Sequence, residues 1–62
     1  LDAAIIRAER QNLVQDVQEI EDRARALGLH VTAHAINRAK NALGWEIAGN
    51  IEQAGKASRG ER

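Results

Sequence analysis

The sequence predicts an all-α fold, a two-helix antiparallel hairpin, and three observations carry that expectation. Proline, cysteine, methionine, phenylalanine and tyrosine are absent and there is one tryptophan, while alanine, leucine, isoleucine, arginine, glutamate and glutamine, all compatible with helix, dominate. Two long stretches return apolar residues every three or four positions, the period of one helix face. Between them stands Leu27-Gly28-Leu29, and a glycine just past an apolar helical run is the common way for a helix to end.

The first helix is expected over about residues 3–27. Asp2 supplies the cap, since its carboxylate can accept from the free amides of the first turn. The seam reads Ala3, Ile6, Arg10, Leu13, Val17, Ile20, Ala24, Leu27, a coiled-coil-like alternation with Arg10 as its one misfit. Glu19 with Arg23 and Glu21 with Arg25 are acid-before-base pairs four apart, which places them on a solvated side. Gly28 ends this helix, with Leu29 folding back on Ala24.

A turn over about residues 28–31 and a second helix over about 32–54 follow, with Thr32 the best capping side chain and His30 a weaker one. So short a connection makes neighbouring helices antiparallel. Closing the pair near Leu29 sets Ile6 by Ile51, Leu13 by Leu43, Ile20 by Ile36 and Ala24 by Ala33, while Arg10 and Lys40 snorkel to the seam's edge. Residues 55–62 are polar and without period, and are expected to form a disordered tail. Gly44 separates two architectures: a helix continuous through Trp45, which the return of Ile47, Ile51 and Ala54 to the core face favours, or a helix that stops near Leu43.

The second helix carries two usable faces. Leu29, Ala33, Ile36, Leu43, Ile47, Ile51 and Ala54 form the core face. The partner face is Val31, Ala35, Arg38, Ala42, Trp45 and Gly49, with His34 and Asn41 beside it. A tryptophan opposite a core is costly unless something covers it, and tryptophan is enriched at binding hot spots.

Sixty-two residues fall below the ~70–80 at which one hydrophobic core comfortably outweighs chain entropy. Without cysteine no disulfide can compensate. Self-association into a four-helix bundle, as a homodimer, or docking on another protein is therefore expected. Nine basic and nine acidic residues cancel, so no global field draws the chain to nucleic acid or an anionic membrane. No apolar run approaches a membrane span and no signal peptide is apparent, so a cytoplasmic chain is expected. A start at Leu1 rather than methionine suggests a processed piece of a longer chain.

No catalytic residue, cofactor or small-molecule substrate is expected: no phosphate loop, nucleophile elbow or histidine-carboxylate constellation is present, and two helices cannot enclose a pocket. His30 and His34 are four apart, but two ligands do not make a metal site. The expected function is thus a non-enzymatic protein-protein interaction module, a dimerisation element, small adaptor or inhibitor. A nucleic-acid-binding regulator is second, using His34, Asn37, Arg38 and Asn41. Leu27-Gly28-Leu29 followed by Ile36-Asn37-Arg38-Ala39-Lys40-Asn41-Ala42-Leu43-Gly44 loosely resembles a helix-turn-helix, in which a Leu-Gly turn precedes a recognition helix. That resemblance implies that those four residues meet base edges or phosphates. In size and architecture the hairpin also resembles the small plasmid-encoded Rop hairpins, which dimerise and bind RNA.

Overall fold

The computed structural model describes residues 2–61 and is all-helical, with α1 over Ala3–Ala26, α2 over His30–Ile47 and α3 over Ile51–Ser58 and no strand among the described residues. Asp2 caps α1 as expected, accepting from the Ala4 amide at 2.9 Å. The three helix ends share one device. At the first, Gly28 has φ +78°, its amide donates to the Arg25 carbonyl, and the Leu29 amide donates to the Ala24 carbonyl at 2.9 Å. This is the Schellman arrangement, and glycine holds its left-handed position without strain. Leu29 is consumed by that turn, so α2 starts at His30 without a side-chain cap, two residues before the Thr32 start.

The second helix runs unbroken through Gly44 and Trp45 but ends at Ile47, not near residue 54. Gly49, φ +82°, donates to Glu46 and Asn50 to Trp45, repeating the turn at Gly28. The Asn50 side chain then accepts from the Gln53 amide at 3.0 Å and opens α3. Residues 55–58, expected as part of a disordered tail, belong to this helix, and Arg62 lies outside the described residues. Gly44, inside α2, and Gly49, just past its end, therefore respond oppositely to alanine. Gly44→Ala, whose added Cβ meets nothing within 4 Å, should stabilise the fold by ~0.5–1 kcal/mol. Gly49→Ala should cost ~1–2 kcal/mol, because it forces an L residue into the left-handed region. Chemical denaturation of the two variants checks both signs.

α2 returns along α1: Asn37 reaches Glu21, and three residues on, Lys40 reaches Gln18 three residues back. α3 then lies along the opposite side of α2, where Gly60 meets the Arg38 side chain. No Cα of α1 comes within 8 Å of a Cα of α3. The result is a row of three helices, 39 by 24 by 12 Å between Cα extremes, rather than the two packed layers that usually enclose a core. The buried apolar residues among those described are all alanines: Ala24 and Ala33 where α1 meets α2, Ala42 and Ala54 where α2 meets α3. Every isoleucine, leucine, valine and tryptophan among the described residues keeps some exposure.

Candidate interaction site

A row of helices has two broad faces, and the helical period assigns residues to each. On α1 the direction toward α2 is marked by Glu21, which reaches Asn37 and Lys40. At 100° per residue, Ile6, Leu13, Ile20 and Leu27 project together about a quarter turn away from it. They were expected to pack inward as the seam, yet Ile20 is 54% and Leu27 71% exposed. On α2 the partly covered Ile36 and Leu43 and the exposed Leu29 project onto the same face. Both sets repeat every seven residues. The antiparallel register brings Leu13 level with Leu43, Ile20 with Ile36 and Leu27 with Leu29. Ile6 falls by Ile47, with Arg10 alongside, rather than by Ile51, which is exposed on α3.

The inward positions of α1 that the sequence seam missed are polar or small. Glu21 is only 3% exposed. Its carboxylate accepts from Arg25 at 2.8 Å and from Lys40 at 3.0 Å, with Asn37 at 3.4 Å. Lys40 also donates to the Gln18 side chain at 2.7 Å. Lys40 therefore does not reach out to the seam's edge; it is held between the helices as part of an ionic cluster. The Lys40 and Arg25 contacts outweigh the opposing effect of burial and hold the Glu21 carboxyl below the ordinary glutamate range. Glu21 with Arg25 was legible as a helical ion pair, but its inward turn was not, because the more apolar Ile20 beside it gave the seam its apparent direction.

The opposite face is a concavity of about 1000 Å³ spanning all three helices, with Gln18, Asn37, Asn41 and Gln53 in its lining. His34, Asn37, Arg38 and Asn41, the set implied by the helix-turn-helix resemblance, come together there beside Trp45. Arg38 packs its stem near Gly60, and its buried Nε has no hydrogen-bond partner.

The six residues expected to form one partner face are divided by α3. Ala42 is buried beneath it, Arg38 is half-buried, and Trp45, 41% exposed, rims the concavity. Gly49 sits in the turn that launches α3. Val31 and Ala35 lie beyond the end of α3 and stay open, Val31 at 87%. What covers much of the tryptophan side of α2 is thus the chain's own third helix. No group of three or more metal-ligating side chains occurs among the described residues, and no described helix is long and apolar enough to cross a membrane. No family model, curated protein or solved structure matches this chain.

Proposed function

We propose that this chain is a non-enzymatic protein-protein interaction module, a helical hairpin with a third helix laid along its second, and that it works through the α1/α2 apolar face rather than the Trp45 face. The observation that supports this is the pair of heptad stripes left open on one face while the buried apolar residues among those described are all alanines. Apolar area on this scale marks an interaction surface in a small domain, and the missing second layer is what such a surface lacks. Two helices from a second copy would complete a four-helix bundle; two helices of another protein would do the same for an adaptor or inhibitor.

Ile20→Asp tests the face directly. It should abolish association, or, in a chain that does not associate, abolish binding of a hydrophobic dye. Trp45→Ala should leave either property in place. Loss with Trp45→Ala and indifference to Ile20→Asp would return the working surface to the other side of α2.

One observation favours a second function. The concavity collects His34, Asn37, Arg38 and Asn41 with an accessible tryptophan and an arginine that has no carboxylate partner among the described residues, the kind of groups that meet phosphates and stack on bases. Affinity for single-stranded RNA that falls steeply with salt and disappears in Arg38→Gln would support nucleic-acid binding. Indifference to nucleic acid at low salt would remove it.

A further inference from the structure

Resting on the interaction-module reading, we infer that the occupant of the apolar face is a second copy of this chain, docked face to face about a twofold axis perpendicular to the helices, so that the two Gly28 turns lie at opposite ends.

Two features select a second copy. The face takes in two of the three helices of a row 39 by 24 Å, an extent on the scale of the roughly 800 Å² per partner that stable complexes use. The stripes of α1 and α2 share one heptad repeat at common levels, so the surface that closes them needs two antiparallel helices with the same repeat. This chain presents that surface, and a twofold contact uses the same patch on both copies.

Charge then chooses between the two ways of stacking the copies. Along the outer border of α1, beside Ile6, Leu13 and Ile20, stand Glu9, Asp16 and Arg23, all exposed. Neither Glu9 nor Arg23 has an ion-pair partner among the described residues. With the axis perpendicular to the helices, α1 crosses the other α1 head to tail. Leu13 of one copy then meets Ile20 of the other, Ile6 meets Leu27, and Ile36 meets Leu43. The same superposition sets Glu9 of each copy against Arg23 of the other, two opposite-charge pairs that flank and outnumber the one like-charge approach it makes, Asp16 to Asp16 at the axis. With the axis along the helices, α1 would instead lie over the other copy's α2 at matching levels. Glu9 would then approach Glu46, a like-charge pair that disfavours the stacking. The centre of α1 coincides in both patterns, the apolar steps and the charges, which is why one axis serves both.

Sedimentation equilibrium at low salt tests this on variants that keep the fold. The wild-type chain should be a dimer. Ile20→Val removes one methylene from each copy's contact and should weaken the dimer about tenfold, while Val31→Ala, on the uncovered side of α2, should leave it unchanged. Glu9→Arg should weaken the dimer several-fold, and Glu9→Arg with Arg23→Glu should recover it. A dimer that Ile20→Val does not weaken, or a charge reversal that the second reversal does not rescue, overturns the arrangement. A monomer at all concentrations overturns the second copy as occupant. In that case dye binding lost in Ile20→Asp would leave the interaction face standing with a different partner, and the absence of such binding would sink both.

Discussion

Ala33→Leu should be among the most destabilising single substitutions in α2, costing about 1–3 kcal/mol in urea unfolding. Ala33 is 1% exposed and level with Ala24 of α1, at the point where the tight turn at Gly28 brings the two backbones together. The Leu29 amide is bonded to the Ala24 carbonyl there, which fixes the separation from one side. A leucine has no volume to fill at such a crossing, so it must adopt a poor rotamer or push the helices apart. Pushing them apart would also lengthen the contacts of Lys40 and Asn37 with Glu21. Ala35→Leu is the control: Ala35 is exposed on the same helix, and the same added side chain should change stability by no more than about 0.5 kcal/mol. Equal effects at the two positions would mean that the alanine crossing is not a close contact.

Glu21 should set the acid limit of the fold. Its carboxyl is held below the ordinary range by Lys40 and Arg25, so the folded state favours the ionised form more than the unfolded chain does. The stability this contributes is fully present above the unfolded value, about 4.3 for glutamate, and is lost as pH falls through the lower folded value. Glu21→Gln removes the charge while keeping a similar shape. It should lower the melting temperature at neutral pH by more than Glu19→Gln does, and it should flatten the loss of stability below pH ~4.3. An acid limb as steep in Glu21→Gln as in the wild type would assign that limb to other carboxylates. Salt should weaken this contribution less than it weakens an exposed pair such as Lys56 with Glu52, because Glu21 itself is shielded from solvent.

Much of the helical organisation was legible because local chemistry and the long-range pattern agree in it. Asp2 as a cap, Gly28 as a left-handed end and the Ala24/Ala33 crossing each follow from residue type at a position that admits few alternatives. The end of α2 was masked by phase. Ile47, Ile51 and Ala54 keep the three-and-four spacing across the break, so the periodic signal runs straight through a turn. The local signal was nevertheless present: Gly49 followed by Asn50, with Gln53 three residues later, is a helix stop joined to a helix start. Weighting that pair above the spacing would have ended α2 at the observed place and turned the polar tail into α3.

The candidate site was misdirected for a related reason. A hydrophobic seam is expected to face its nearest neighbour, and Ile6, Leu13, Ile20 and Leu27 were therefore paired with α2. In the folded chain the covered side of α1 is Val14, Val17, Gln18, Glu21 and Ala24, with Gln18 and Glu21 bonded to α2. The bulkier heptad residues turn to the open face. No single-chain pattern separates these alternatives, since a seam that packs on a neighbouring helix and one that waits for another pair have the same spacing. The partial cover of Trp45 by α3 was invisible once α3 itself was missed.

Circular dichroism melting across a thousandfold range of protein concentration tests most directly whether this row of helices is completed by a second copy. A dimeric fold requires the midpoint to rise with concentration, because association stabilises the folded state by mass action, with Ile20→Val shifting the whole series downward. A fully helical chain whose midpoint is the same at every concentration would show that three helices in one row hold themselves, and that the apolar face is not closed by this chain.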